Sequence, residues 1–426
     1  MASADTIFAL STGQPPAAIA IVRISGPGAN DALASLAGSL PEPRRAALAA
    51  LTHEGELLDR ALVLRFEAPN TVTGEDLVEL HLHGGRAVVA AVAAVLGRMQ
   101  GLRAAQPGEF TRRAFANGRI DLAEAEGLAD LLAAETEGQR RAALQLAGGA
   151  LSRQVEDWTR RLLALAAAVE AQLDFADEGD VDQGLPHAWE SERAALAAQL
   201  ERMLARPPAE RLRDGVRVVL AGPPNSGKST LLNALAGREA AITSDLPGTT
   251  RDLVEAPVAI AGVPLLLIDS AGLRDSEDRI ERIGVDRAQA AIASADLILW
   301  LGSPAERPAR EGVIAVAAKA DLAPAPSGAD LSVSAVTGEN MEGLVARLIS
   351  EARTLLPTPN EAAVNARQRA VLADAAAHVA AAGAQPDLLI VAEELRQARA
   401  ALDRITGRAG VEEMLDALFG RFCIGK

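Results

Sequence analysis

Residues 216–237 read VRVVLAGPPNSGKSTLLNALAG, and no other stretch limits the fold as tightly. Its first six residues form an apolar, valine-rich run of the kind that makes a buried strand. A Gly- and Pro-containing turn follows, and STLLNALAG then reads as a helix. A strand that passes through a tight turn straight into a helix begins a βα unit, which needs parallel neighbours. They are visible downstream: PVAIAG, VPLLLID, LILWLG, VIAVAA and LSVSA are further strand-like runs, with Gly262 marking a tight turn between the first two. Strand and helix alternate from 213 to about 352, which predicts a mostly parallel sheet covered by helices.

The turn GPPNSGKS (222–229) matches G-x-x-x-x-G-K-S/T in its required context, after a strand and before a helix. Asn225, Ser226, Gly227, Lys228, Ser229 and Thr230 form the expected nucleotide cradle. Backbone N–H groups at a helix N-terminus face phosphates. Lys228 supplies charge to the β- and γ-phosphate oxygens, and Ser229 offers a hydroxyl to Mg²⁺. In GTTR (248–251), Thr250 offers a second Mg²⁺ hydroxyl, with Thr249 beside it. In DSAG (269–272), Asp269 sits at a strand end near the metal and Gly272 can sense the γ-phosphate. In AKAD (318–321), Asp321 can accept from a guanine N1–H and amine, beside Lys319; VSA (333–335) places Ser334 and Ala335 in a base-edge loop. These pieces in order predict a GTPase rather than an ATPase. They resemble the translation-factor-like GTPases with two departures. Ala318 stands where an Asn is usual, which predicts weakened base discrimination with Asp321 still reading guanine. Leu273 stands where Ras-like enzymes place a water-orienting Gln. Arg251 and Arg274 are nearby without being identifiable as a finger, and Asp275, Glu277, Asp278 and Glu281 are candidates to orient water.

Residues 1–118 read as mixed α/β, with strand-like AIAIVRISG (18–26), ALVLRF (61–66) and DLVELHLHGG (76–85) and a helix over 86–99. Helical texture begins at about 119: Leu151, Val155, Trp158, Leu162, Leu165, Val169 and Leu173 make one apolar stripe, and a second helix covers 188–205. The acidic run 174–186 reads as a solvated loop. Helix returns after 357–360, with Leu388, Val391, Leu395, Ala398, Leu402 and Ile405 in register. Helices therefore flank the α/β segment on both sides, which predicts one helical domain with an α/β domain inserted into it. The net charge of −15 argues against a broad nucleic-acid-binding surface, so an RNA would need a local basic patch. One cysteine, Cys423, excludes an internal disulfide and suits a reducing compartment. With no signal peptide or membrane span legible, a cytoplasmic protein is the expectation. His81 and His83 share one strand face without a supporting Cys cluster, a weak pattern for metal.

NSGKS, GTTRD, the D-x-AGLR run with its downstream ERIG, APNTVTGEDLVELHLHGG (68–85), PGEFTRRAFANGRIDLAEAEGLADL (107–131) and the FCIGK ending together resemble the tRNA modification GTPases called the MnmE or TrmE family, nearly end to end. The resemblance implies a multidomain chain, α/β plus all-α. Its parts would be an N-terminal α/β folate-binding and dimerisation domain (1–118), a helical domain (119–212 and 356–426) and a Ras-like P-loop GTPase domain (213–355) inserted into the helices. It implies K⁺ in place of an arginine finger, held by Asn225, Ser244, Leu246 and Thr249, and Glu281 polarising the attacking water. It implies a tetrahydrofolate derivative, 5-formyl or 5,10-methylene, bound by Arg23, Glu79, Arg119 and Lys426, with Arg119 in place of a Lys common there. Cys423 and Lys426 would belong to the modification centre. Partners implied are tRNA, a second copy of the chain and a flavoprotein of the MnmG (GidA) kind that supplies FAD, with no membrane. The function implied is attachment of aminomethyl or carboxymethylaminomethyl groups to wobble uridine. The competing expectation is a GTPase switch that binds RNA or ribosomes without modification chemistry.

Overall fold

The computed structural model describes residues 5–174, 185–237, 255–269, 289–358, 363–408, 412–420, 422, 424 and 425. The acidic run expected to be a loop falls largely outside them. The chain forms two compact units, one made of 1–129, 151–156 and 403–426, the other of 130–150 and 157–402.

The first unit is built on six strands: β1 (Thr6–Leu10), β2 (Ile19–Ser25), β3 (Ala47–His53), β4 (Glu56–Phe66), β5 (Leu77–His83) and β6 (Leu102–Ala104). Their order is β3-β4-β5-β2-β1-β6. All neighbours are antiparallel except β1 and β6. Period-two alternation sorts the faces. Ala20, Val22 and Ile24 of β2, with Val78, Leu80 and Leu82 of β5, join one core with Leu33, Leu36, Val92 and Leu96 from the helices Ala29–Ala37 and Arg86–Leu96. The intervening residues, Arg23 and Glu79 among them, therefore face the other way and pair directly across the two strands.

The second unit holds β7 (Val216–Ala221), β8 (Glu255–Ile260), β9 (Val263–Asp269), β10 (Leu297–Trp300), β11 (Val313–Ala317) and β12 (Leu331–Ser332), in the order β12-β11-β10-β7-β9-β8. Every pair is parallel except β8–β9. That hairpin turns on Ala261 and Gly262, at φ 48° and 75°. Two successive left-handed residues match the strand twist, which is why a glycine sits there. Leu231 and Leu235 of the helix Lys228–Ala236, with Leu344 and Leu348 of Met341–Leu355, cover one face of the sheet. Ala291, Ile292 and Ala295 cover the other.

Long helices complete the chain: Ala150–Asp174, His187–Leu204, Ala366–Ala382 and Leu388–Thr406. The stripe from Leu151 to Val169 is 0–3% exposed, as its spacing requires. The helices His187–Leu204 and Ala366–Ala382 are tied at both ends by crossed arginines. Arg193 of the first donates to Val379 O of the second at 2.9 Å, and Arg369 of the second donates to Leu204 O and, at 2.7 Å, to Arg206 O. Among the described residues no helix is long and apolar enough to cross a membrane.

Candidate functional site

The phosphate loop leaves β7 beside β10. Gly222 has φ 148°, and a Cβ there would lie 2.9 Å from the Leu301 carbonyl carbon, so only glycine lets the loop depart at this point. Asn225 and Gly227 are also left-handed, at φ 61° and 98°, which curls the loop onto the start of the helix Lys228–Ala236. Lys228 is 5% exposed, and its Nζ donates to Gly222 O (3.1 Å) and Pro223 O (2.8 Å). An ammonium held by the carbonyls of its own loop sits at the centre of a ready anion cradle. The Ser226 hydroxyl is buried there, with no hydrogen-bond partner among the described residues. Ser229 Oγ donates to Asp269 Oδ2 at 2.5 Å, joining the helix start to the end of β9. A hydroxyl and a carboxylate converging beside an anion cradle are the hard oxygen donors that Mg²⁺ takes. Thr230 follows Ser229 on the same helix and is exposed.

The residues expected to read the base are tied to the same loop. Lys319 Nζ donates to Asn225 O at 2.7 Å. Ser334, fully buried, donates from Oγ to Asp321 Oδ1 at 2.6 Å and accepts from Thr337 N at 3.2 Å. Backbone pairing of Lys319 with Ser334 fixes the two segments side by side, with Ala335 next to them. Ala318 is half-buried on the fringe of the sheet core; a Cβ on Gly227 would lie 3.6 Å from its methyl. Asn225 to Ser229, Asp269, Lys319, Asp321 and Ser334 are thus brought into one region. Ser244, Leu246, Thr249, Thr250, Gly272 and Glu281 lie outside the described residues.

The first unit contains a cavity of about 620 Å³ on the sheet face opposite the helices Ala29–Ala37 and Arg86–Leu96, with Phe110, Thr111 and Ala114 of the helix Glu109–Ala116 in its lining. Arg23, Glu79 and Arg119 all line it. Arg23 donates to Glu79 Oε1 through Nε (3.2 Å) and Nη2 (2.7 Å), and His81 Nε2 lies 3.3 Å from Glu79 Oε2. On an alternating strand a glutamate more often faces solvent, but the Glu79 side chain is only 17% exposed. Burial pushes its carboxyl up, but the Arg23 hydrogen bond and charge, with His81, hold it below its ordinary value. His83 pairs instead with Asp59, and among the described residues no metal-binding cluster forms.

The cavity wall depends on the segment 67–76, which is heavily pinned. Ser25 Oγ lies 2.8 Å from Thr73 Oγ1 and donates to Glu75 Oε2 at 2.9 Å, while Thr71 Oγ1 donates to Glu75 O at 2.6 Å. Buried Arg113 holds Glu75 and Asp5. Asp76 accepts from Ala68 N and Asn30 Nδ2. Gly74, at φ 78°, leaves room for the Arg119 stem, whose Cγ would lie 3.2 Å from a Cβ there. These bonds are the physical content of the long NTVTGED string. Three lining residues had no local sequence signal: Arg44, Phe66 and Phe110. Arg44 lies in an unpatterned loop with its guanidinium 5.6 Å from the Phe66 ring centroid, and Arg23 stands 6.0 Å from that of Phe110.

The tail of the chain returns to this unit. Phe419 and Phe422 are 2% and 4% exposed, in a cluster with Ala125. Ser11 Oγ donates to Gly425 O at 2.9 Å, and a Cβ on Gly425 would meet Leu10 O at 2.2 Å. Cys423 and Lys426 lie outside the described residues.

Two family models match the chain: the GTP-binding protein TrmE N-terminus over residues 6–119 and the MnmE helical domain over 122–423. The chain is 61% identical to the tRNA modification GTPase MnmE of Rhizorhabdus wittichii, over 100% of this chain and 97% of that protein. It is 58% identical to the protein of the same name from Erythrobacter litoralis, over 99% and 100% of the two chains. A solved structure, the cytosolic domain of the T. maritima FeoB iron transporter in its GMPPNP form, covers 46% of this chain and 98% of its own length at 20% identity and a TM-score of 0.23, too slight a likeness to place any element. By full-length identity, and by both models, the chain belongs to the tRNA modification GTPase MnmE family.

Proposed function

We propose that the chain is a K⁺-activated GTP hydrolase. With a flavoprotein partner of the MnmG (GidA) kind, it installs aminomethyl or carboxymethylaminomethyl groups at C5 of the wobble uridine of tRNA, in the cytoplasm. The observation that carries this reading is identity of 61% along the whole chain to a protein named tRNA modification GTPase MnmE. The two sites suit the two halves of the task. In the phosphate loop, Lys228 and the backbone N–H groups bind the triphosphate, and Asp321, oriented by Ser334, accepts from the guanine edge. Ser229 and Thr250 would hold Mg²⁺, whose charge offsets that of the β- and γ-phosphate oxygens. Asn225, Ser244, Leu246 and Thr249 would hold K⁺, and Glu281 would orient the attacking water. The pairing of Ser229 with Asp269, and a Ser226 hydroxyl that has no partner among the described residues, support a nucleotide and its cation as occupants.

In the other unit, a cavity of about 620 Å³ lined by Arg23, Glu79 and Arg119 is large enough for a tetrahydrofolate derivative, which would carry the one-carbon group; Lys426 would complete its contacts. FAD would come with the partner. A homodimer through the N-terminal domain, with transient pairing of GTPase domains, belongs to the same reading. So does the insertion of a GTPase domain, 213–355, into one helical domain. The crossed arginines between helices that precede and follow that segment support it. The test is twofold. GTP turnover measured in K⁺ and in Na⁺ is expected to be many times faster in K⁺, and equal rates would remove the alkali ion from the scheme. Nucleoside analysis of tRNA from cells lacking the protein is expected to show unmodified wobble uridine; a normal profile would leave only a GTPase switch.

A further inference from the structure

The charge inventory of the cavity in the first unit is lopsided. Four charged side chains line it: Arg23, Arg44, Arg119 and Glu79. Arg23 and Glu79 cancel, since they share a hydrogen-bonded ion pair at 2.7 Å, and they are the more buried couple, with side chains 24% and 17% exposed. Arg44 and Arg119 remain, both exposed and so at the mouth. Among the described residues neither has a carboxylate partner. Arg44 is nonetheless held in place: its guanidinium lies over the Phe66 ring and donates to Asn70 O. Arg119 is braced along its stem against Gly74. On a chain of net charge −15, a cavity with two positioned, carboxylate-free guanidiniums at its entrance selects an anion. Guanidinium forks suit carboxylates.

We propose that Arg44 and Arg119 form a specificity site for a dicarboxylate tail, the terminal glutamate of a folate whose ring lies deeper in the cavity toward Arg23 and Glu79. The proposal rests on the folate reading and deepens it. Arg44 becomes a ligand-binding residue, and affinity is set in part by two charges far from the ring. Longer oligoglutamate tails place further carboxylates at the same mouth and bind at least as tightly.

The experiment compares 5-formyltetrahydrofolate with its bis-amide, in which both glutamate carboxylates are neutral, by calorimetry on the full-length protein. The wild type is expected to prefer the dianion by about tenfold or more at 50 mM KCl, with the preference shrinking at 500 mM as the charges are screened. Arg44→Ala is expected to lose most of that preference while binding the bis-amide as the wild type does; Arg44→Lys keeps part of it. A purely structural role for Arg44 would weaken both ligands alike. Equal binding of the two ligands by the wild type, or an undiminished preference in Arg44→Ala, overturns the proposal and leaves the folate reading standing. Failure of the wild type to bind either ligand overturns the folate reading itself.

Discussion

Ser334 and Asp321 show how much one buried hydroxyl can decide. Asp321 is exposed, so nothing but its hydrogen bonds fixes the carboxylate, and Ser334 supplies one at 2.6 Å from a fully buried position. With no amide at position 318 to share the task, the proposed base recognition leans on this pair. Ser334→Ala is expected to weaken GDP binding about tenfold, the scale of one hydrogen bond to a charged group. Asp321→Asn is expected to exchange preference for GTP for preference for XTP, because an amide can donate to the xanthine O2 where the carboxylate could not. Calorimetric titration reads both, and retained GTP preference in the Asn variant removes Asp321 from base recognition. Glu79 carries a pH signature. Its carboxyl is held below its ordinary 4.5 in the folded chain, burial being outweighed by Arg23 and His81. The stability it contributes is therefore complete above about pH 4.5 and lost as pH falls through the lower, folded value. Thermal midpoints of Glu79→Gln and wild type are expected to differ at pH 6 and to converge as pH falls from 4.5 through the lower, folded value; a constant gap would remove the charge from the account. The ion pair itself could not be read from the sequence, because Arg23 and Glu79 become neighbours only through the register of β2 on β5.

The elements differ in how openly the sequence declares them. The parallel strands β7, β9, β10 and β11 are short apolar runs between turn residues, and the long helices carry unbroken apolar stripes, so local period suffices. β3, with the sequence ALAALTH, does not announce itself: alanine and leucine favour helix, and it is a strand because β4 supplies partners from Val63 to Glu56. β1 and β6 are likewise decided by distant neighbours. The crossed arginine ties are a second long-range feature, and they make a sharp prediction. Arg193 Nη1 caps the C-terminal turn of Ala366–Ala382 through Val379 O, and a Cβ on Gly383 would come within 2.3 Å of the same guanidinium. Gly383→Ala would expel Arg193 from its place. Each of Gly383→Ala and Arg193→Ala is expected to cost about 1–2 kcal/mol in urea unfolding, the scale of a charged hydrogen bond to helix-end carbonyls. The double variant is expected to cost no more than the larger single change, since both remove one contact. Additive losses would mean that the glycine serves something other than the cap.

At the scale of the whole chain, the phosphate loop and the arginine-lined cavity fall in different compact units, and the last residues belong with the first. The phosphate loop lies in the unit of 130–150 and 157–402, whereas 403–426 group with 1–129. The tail is held there on both sides of position 423: Phe422 is buried against Ala125 and Phe419, and Gly425 is locked to Leu10 and Ser11 by contacts that admit no Cβ. The resemblance implies that Cys423 belongs to the modification centre; its neighbours Phe422 and Gly425 are anchored in the unit that holds the cation-rimmed cavity. The two activities should therefore come apart under single substitutions. Cys423→Ser exchanges sulfur for oxygen with little change in volume, so GTP turnover is expected to stay near the wild-type rate while tRNA modification in a reconstituted assay is abolished. Lys228→Ala acts from the other side: the cradle loses its cation, and nucleotide binding and turnover are expected to fail while 5-formyltetrahydrofolate still binds the isolated protein with wild-type affinity. Wild-type modification by Cys423→Ser would take the thiol out of the chemistry and leave the tail a structural strap. Loss of folate binding in Lys228→Ala would mean that the two sites depend on one another even without nucleotide, because a substitution confined to one unit would then have reached the other.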